Sequence, residues 1–172
     1  MGMLQFIASA RTTNSTTGTV SFTGITAAYT DLLVYASMRG MQGQNSPTVS
    51  VQYNTGNTYS QQYFEGSNVT TVAATQTSLS GMDLIVPGNA TNAFGFSNTF
   101  WYVQNYTGTG VVKTSIASSN QTGTTNQTSR STQEVTGRQA GNLGAINRID
   151  INSNSQFHID TSFFIYGINW TP

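Results

Sequence analysis

Apolar and polar residues alternate with a period of two along most of this chain, and no segment carries the apolar stripe of an amphipathic helix. The pattern is clearest over Thr48–Tyr53, where Val49, Val51 and Tyr53 alternate with polar residues. Successive side chains of a β-strand point to opposite faces, so this segment is predicted to be a half-buried strand. Further strands are predicted at residues 19–25, 31–38, 84–86, 94–106, 111–117 and 145–151, with a long last strand over 157–165.

Two of these segments are richer in apolar residues than simple alternation requires. Residues 31–38 are apolar at nearly every position, which is typical of a strand covered on both faces. Residues 94–106 are aromatic-rich, and the alternation predicts that one set of side chains opposes the other. The first set is Phe100, Tyr102 and Tyr106, and the second is Trp101 and Val103.

Gly and Asn separate the predicted strands at intervals of about 8–15 residues, which is the spacing of a sandwich or a jelly roll. We therefore predict an all-β protein, with residues 1–172 forming a single-domain antiparallel β-sandwich that is jelly-roll-like. The length of 172 residues fits one domain with a sizeable core.

Two polar stretches interrupt the strand pattern, at residues 12–18 and 118–142. The second is nearly free of large apolar residues, Val135 being the one of any size. Excursions of this length in a compact domain are usually functional or disordered, and a long projecting hairpin is one possible form. We predict a docking or projecting loop here, with candidate residues Asn120, Thr124, Asn126, Arg130 and Arg138.

The composition excludes several classes of function. Asn, Gln, Ser and Thr account for 76 of the 172 residues, and 7% are charged, against roughly a quarter in ordinary soluble domains. Six basic and six acidic residues give zero net charge, so we expect neither a nucleic-acid partner nor an anionic membrane surface. No apolar run is long enough to span a membrane, and the first ten residues lack the basic region of a secretory signal.

Cysteine is absent, so the chain has no disulfide and no thiol chemistry. A surface near zero net charge is prone to associate, which favours an oligomer or a fixed place in a larger particle.

Residues suited to metal binding or catalysis are few. His158 and Asp160, two positions apart on the predicted last strand, would lie side by side, but a zinc site needs three or four ligands and the chain has one histidine. A calcium site is the remaining alternative, drawing on Asp31, Glu65, Asp83, Asp150 or Asp160, although no EF-hand loop is present. Nucleophile-elbow and phosphate-binding motifs are also missing from the sequence. We predict that the protein is not an enzyme and needs no metal or cofactor.

Aromatic residues offer a different kind of site, because exposed rings stack on sugars. Rings in such sequences more often form the core of a sandwich or the seam of an oligomer, and we favour that interpretation. The candidates are Tyr63, Phe64, Trp101, Tyr102 and Trp170.

Several segments, taken in order, resemble a family of small tailed-bacteriophage structural proteins. Members typically run from an F-x-x-I-x-x-x-Y-T-D-L segment to a terminal F-x-L-Y-G-I. The resemblance covers residues 4–168 and departs at 138–143, where the family often has an L-W strand and this chain is polar. The matching segments are LQFIAS (4–9), VSFTGI (20–25), YTDLLV (29–34), QYFEG (62–66), FSNTFWYV (96–103) with NY (105–106), and SFFIYGI (162–168).

This resemblance implies a virion component, a β-sandwich on the capsid or at a fibre, with a trimer favoured. The family has no catalytic motif, so it assigns no site residue. We expect a capsid decoration (cement) protein that binds the major capsid protein or other virion proteins as a homo-oligomer, located in the virion after assembly in the host cytoplasm. The alternative is a tail-fibre or host-recognition tip that binds a surface polysaccharide. A cellular carbohydrate-binding module is a third class.

Overall fold

Twelve strands form the part of the chain that the computed structural model describes, which is residues 3–14, 16–40, 47–66, 71–87, 95–119, 133–140 (backbone only) and 144–170. The strands are β1 (Met3–Arg11), β2 (Thr19–Thr23), β3 (Asp31–Met38), β4 (Thr48–Tyr53), β5 (Thr58–Gly66), β6 (Thr71–Leu79), β7 (Met82–Ile85), β8 (Ser97–Val103), β9 (Thr114–Ser119), β10 (Gln133–Ala140), β11 (Arg148–Ser153) and β12 (Ser162–Asn169).

The strands form two antiparallel sheets that pack against each other. The large sheet has eight strands in the order β1-β12-β3-β8-β9-β10-β5-β6, and the small sheet has four in the order β2-β11-β4-β7. This arrangement confirms the predicted all-β antiparallel sandwich. The predicted bounds of β3 and β4 agree with the structure, and most of the other predicted strands differ by a few residues.

Eight of the strands pair in a nested manner, first with last and second with second-last. In the large sheet β12 pairs with β1 and β3, and β3 also pairs with β8. In the small sheet β11 pairs with β2 and β4, and β4 also pairs with β7. The remaining strands form two inserted hairpins, β5–β6 and β9–β10, which lengthen the large sheet at one end.

The core lies between the facing sides of the two sheets. Trp101 and Phe163 on the large sheet and Tyr53 on the small sheet are among the largest fully buried side chains. The inward sets are formed by alternate residues, such as Leu32, Val34, Ala36 and Met38 on β3 and Val49, Val51 and Tyr53 on β4. The period-2 pattern of the sequence therefore marks one buried side of each strand.

Polar contacts tie the sheets together inside this core, and two of them are made by Ser115 and Gln61 of the large sheet. The hydroxyls of Tyr53 on β4 and Ser115 on β9 share a hydrogen bond of 2.7 Å, so a buried pair bridges the small and large sheets. Gln61 on β5 is also buried, and its side-chain oxygen accepts the backbone N–H of Asp83 on β7 at 2.8 Å. This contact occupies a donor of an edge strand that would otherwise be open to pairing.

The predicted last strand proved too long. β12 begins at Ser162, and residues 157–161 form a turn in which Asp160 has a φ of 72°. The turn is held by Thr12, whose backbone N–H donates to the Thr161 carbonyl and whose carbonyl accepts from the Asp160 N–H, both at 2.9 Å. Phe157 is buried, but Ile159 is 42% exposed, so the expected alternation fails here.

Two further predictions need correction. Tyr106 was expected to share a face with Phe100 and Tyr102, yet it follows the end of β8 and is buried, with its hydroxyl donating to the Thr26 carbonyl. Residues 31–38 were expected to be covered on both faces. Among the described residues, β3 is covered on one face, and Tyr35 on the other face is 38% exposed.

The polar stretch 118–142 contains strand residues at both ends. Ser118 and Ser119 close β9, and residues 133–140 form β10, which pairs with β9 on one side and β5 on the other. β9 and β10 are antiparallel neighbours, and these described parts lie within the large sheet instead of projecting from it. Residues 120–132 and 141–143 fall outside the described residues.

Candidate interaction surface

The outer side of the large sheet, away from the core, carries a continuous group of large apolar side chains. They project from the five neighbouring strands β1, β12, β3, β8 and β9. We call this group the aromatic face. Its members are Leu4, Phe6, Leu33, Tyr35, Phe100, Tyr102, Ile116, Phe164, Tyr166 and Ile168.

Strand register places these side chains in rows across the sheet. One row runs Phe6, Tyr166, Leu33, Tyr102 and Ile116, each paired with the next across adjacent strands. A second row runs Phe164, Tyr35 and Phe100. Ring contacts link the strands: Phe6 meets Tyr166 edge-on at 5.9 Å between centroids, and Tyr35 lies 6.3 Å from Phe164. Such cross-strand pairs stabilise the sheet while leaving their outer surfaces open.

Half of the aromatic face is well exposed. The exposed fractions are 53% for Leu4, 55% for Phe6, 38% for Tyr35, 41% for Phe100 and 46% for Ile116. The exposed parts of all ten side chains amount to roughly 600 Å², taking about 200 Å² for a large side chain in full. That is at or above the upper end of the apolar patches found on monomeric proteins, which are about 300–600 Å² and often functional.

None of the ten residues is charged, and the carboxylate of Asp31 beside Tyr102 is held by hydrogen bonds. Asp31, at the start of β3, is 5% exposed. Its carboxylate accepts the Tyr102 hydroxyl at 2.5 Å, the Asn105 backbone N–H at 2.7 Å and the Trp170 indole N–H. Burial and this bond to Asp31 raise the pKa of the Tyr102 phenol above its usual value.

A charged pair lies at one margin of the aromatic face. Arg11, at the end of β1, pairs with Asp160 at 2.7 Å beside Phe164, and both side chains are more than half exposed. The surface thus has an apolar centre with a polar margin, which is the anatomy of a protein–protein interface.

The outer side of the small sheet is polar by contrast. Asp150 on β11 accepts the Ser21 hydroxyl at 2.5 Å and the Arg148 guanidinium at 2.8 Å. The bond and charge of Asp150 raise the pKa of Arg148. Thr19 and Asn152 are joined by a side-chain hydrogen bond of 2.8 Å. The two outer faces of the sandwich therefore differ sharply, one apolar and one hydrogen-bonded.

The predicted loop residues are not brought together in the described structure. Asn120, Thr124, Asn126 and Arg130 lie outside the described residues, and their docking role stays a prediction. Arg138 lies in β10, paired with Thr114 of β9 and Ser60 of β5.

The predicted metal candidates are dispersed. Asp31, Asp150 and Asp160 hold the partners given above, and His158 lies in the turn before β12 with its Nδ1 2.7 Å from the Ile159 carbonyl. The predicted placement of His158 and Asp160 on one strand face is therefore wrong. Among the described residues, no group of three or more His, Asp or Glu side chains is placed to hold a metal ion.

Glu65 and Asp83 line a small cavity of ≈ 100 Å³ between β5, β6 and β7. Burial raises the pKa of Asp83 there. Gln61, Tyr63 and Gln76 complete most of the lining. This volume holds a few water molecules, well below the several hundred Å³ of ordinary ligand pockets.

The five aromatic candidates have different fates. Trp101 is fully buried in the core, and Tyr63 is partly buried and packs against the core. Tyr102 belongs to the aromatic face. Phe64 is 59% exposed and borders a shallow depression of ≈ 240 Å³, and Trp170 is 56% exposed with its N–H bound to Asp31. The core interpretation holds for Trp101 and Tyr63, and a place for Tyr102 in an oligomer seam stays a prediction.

In the part of the chain that the structure describes, no helix is long and apolar enough to cross a membrane. Comparison with known proteins gave no match: no family model, no curated protein and no solved structure is significantly similar to this chain.

Proposed function

We propose that this protein is a structural component of a tailed-phage virion, a capsid decoration protein that binds the outer capsid surface as an oligomer. The observation that carries the proposal is the aromatic face, a broad uncharged apolar surface on a sandwich whose opposite outer side is polar and hydrogen-bonded. A surface of this kind suits lasting contact with neighbours better than reversible binding of a small molecule.

The nested strand pairs add support at the level of the fold. Pairing of first with last and second with second-last strands is what an antiparallel ribbon gives when it is wrapped across two sheets. We propose that the eight nested strands form a jelly roll, an architecture common in viral capsid domains. The β5–β6 and β9–β10 hairpins are then additions to that framework.

The proposed mechanism is purely associative. Apolar surface removed from water between protomers stabilises the oligomer, at about 25 cal/mol per Å² of buried apolar area. Neutral Ser, Thr and Asn groups, as on the outer side of the small sheet, donate and accept hydrogen bonds at the capsid. Because few charges take part, salt should screen little of the attachment energy.

The test is binding of the purified protein to capsids assembled without it. Co-sedimentation should saturate at a fixed ratio to the capsid subunits and change little between low and high salt. Quantitative mass spectrometry of intact particles should then find copies in proportion to the capsid protein. Absence of the protein from purified particles would overturn the proposal.

One observation favours the fibre-tip alternative. The shallow depression beside Phe64 combines an exposed ring with the amide of Gln62 and the hydroxyl of Thr75, which are groups that bind sugars by stacking and hydrogen bonding. A fibre tip would be present in the few copies set by the tail symmetry, and a Phe64→Ala variant would lose binding to the host polysaccharide.

A further inference from the structure

We propose that the aromatic face packs against the aromatic face of a second copy of this chain. The inference rests on the proposed function in that it names the self-contact of the oligomer, while capsid attachment uses other surfaces. Three properties of the aromatic face indicate that a second copy binds there: its area, its lack of charge and the hydrogen bonds that two of its tyrosine hydroxyls make within the chain.

The area fits a protein partner of the same kind. Exposed apolar surface of roughly 600 Å², with the polar groups at its margin, approaches the roughly 800 Å² per partner of a standard interface. Five strands at about 4.8 Å spacing make a face about 20 Å wide, and the faces of two sheets pack against each other at a separation of about 10 Å. The depression that touches Phe164 lies at the margin of this face, beside Arg11 and Asp160.

The charge pattern points to self-complementarity. Ten neutral side chains require no opposite charges in the partner, so the face matches a copy of itself. The other outer surface of the sandwich is a poor match, because it presents Asp150 and Arg148 with their hydrogen-bonded neighbours. Apolar surface therefore meets apolar surface when the aromatic faces of two copies meet.

Two of the three tyrosine hydroxyls on the aromatic face already have partners within the chain. Tyr35 donates to Asn98 Oδ1 at 2.8 Å, and Tyr102 donates to Asp31 at 2.5 Å. Each bond lies within one protomer, so covering these two rings leaves neither hydroxyl without a partner. An unpaired buried hydroxyl would weaken the contact. Tyr35 and Tyr102 thus contribute apolar area without that penalty.

Timing favours a second copy over the capsid as the occupant. A newly folded chain exposes the aromatic face before any particle is within reach, and an apolar surface of this size with zero net charge promotes aggregation. Another copy is the partner always present during synthesis. Pairing through this face covers it, and leaves the polar sides of the sandwich available to the capsid.

The main test compares two matched phenylalanines on the outer side of the large sheet. Phe100 lies within the aromatic face and Phe64 lies three strands away on β5, both substantially exposed. Light scattering of the wild-type protein should give a multiple of the 18.4 kDa chain mass. Phe100→Lys should reduce the mass to that of one chain, and Phe64→Lys should leave the multiple unchanged.

Folding of each variant is checked by the fluorescence of Trp101, which is fully buried on the inner side of β8. A second measurement covers the case in which Phe100→Lys fails to fold. The chain has no cysteine, so a Tyr35→Cys variant places one thiol at the centre of the aromatic face. A bis-maleimide should link two such chains, whereas a Phe64→Cys variant should stay unlinked.

A monomeric wild-type protein, or equal cross-linking at positions 35 and 64, would overturn this inference. Neither result touches capsid binding, which the co-sedimentation assay measures separately. Conversely, if the protein self-associates but does not bind capsids, the proposed decoration function is wrong and the proposed contact between two copies is still supported.

Discussion

The hydroxyl of Tyr59 serves both backbone groups of Tyr53: it accepts the Tyr53 N–H at 2.5 Å and donates to the Tyr53 carbonyl at 3.1 Å. The two rings also meet edge-on, 6.1 Å between centroids. Both side chains are buried. The pairing of β4 with β7 ends at Val51, so the Tyr59 side chain supplies the hydrogen bonds that a neighbouring strand would otherwise give to the backbone of Tyr53.

Removing this hydroxyl should destabilise the fold. Tyr59→Phe leaves the buried Tyr53 N–H without its acceptor, and we expect a loss of about 2 kcal/mol in the free energy of unfolding. The control is Thr19→Val, which removes an exposed hydroxyl bond to Asn152 and should cost less than about 0.5 kcal/mol. Urea denaturation of both variants measures the difference, and equal midpoints would contradict it.

The same pair of tyrosines should make the protein sensitive to alkali. Burial raises the pKa of Tyr59 to about 12 and that of Tyr53 further, from an ordinary value of 10.0. A raised folded-state pKa means that the stability is complete below pH 10, where both states keep the proton, and falls as the unfolded state ionises above it. For Tyr59 the loss is on the order of 3 kcal/mol between pH 10 and 12.

Unfolding midpoints measured from pH 8 to pH 12 test this prediction. The midpoint should be constant up to about pH 10 and then decline. In Tyr59→Phe the decline should be shallower, because one of the tyrosines with a raised pKa is gone. A midpoint that declines equally in both proteins would assign the effect to other groups.

Asp31 should matter far more than Asp160, although both carboxylates have close partners. Asp31 is buried and accepts three hydrogen bonds, so Asp31→Asn turns an acceptor into a donor facing other donors. We expect a loss of about 2–3 kcal/mol. Asp160→Asn breaks an exposed pair with Arg11 and should cost less than about 1 kcal/mol.

Thermal melts measure both aspartate variants. Acrylamide quenching gives an independent signal, because Trp170 is half exposed and its indole N–H is held by Asp31. Quenching should rise in Asp31→Asn and stay at the wild-type level in Asp160→Asn. An unchanged quenching constant would mean that Asp31 does not hold Trp170.

Gly167 should tolerate no side chain. A Cβ built at this position in β12 would lie 2.2 Å from ring carbons of Tyr29. The Tyr29 side chain is partly buried and packs against the core. Gly167→Ala therefore forces the ring to move, at about 1–3 kcal/mol or more. Gly18→Ala is the control, since its Cβ would meet one atom at 3.9 Å. Equal melting temperatures for the two variants would refute this contact.

Alternation in the sequence predicted the strands that bury one apolar side, and β3 and β4 were located to the residue. β5 and β10 were missed for a physical reason. On β5 the inward series is Tyr59, Gln61 and Tyr63, so a buried glutamine interrupts the apolar period. β10 is held between two neighbouring strands by backbone pairing, which needs no apolar side chain.

The aromatic face was only partly visible in the sequence. The sequence indicated it through β3, where apolar residues stand at both odd and even positions. That pattern predicted that other parts of the protein cover both faces of the strand. The sequence does not show that, among the described residues, no segment covers the second side of β3. That requires the strand order, since Phe6, Tyr166, Leu33, Tyr102 and Ile116 come from five segments that are distant in sequence.

The bond between Tyr53 and Ser115 has a mechanical consequence. Sliding one sheet over the other by a single residue would separate these hydroxyls and leave both unpaired in a dry interior, at about 1–3 kcal/mol each. Apolar packing alone resists such shear weakly, because one aliphatic contact can replace another. A directional bond between the two sheets therefore makes the sandwich stiffer against forces parallel to its sheets.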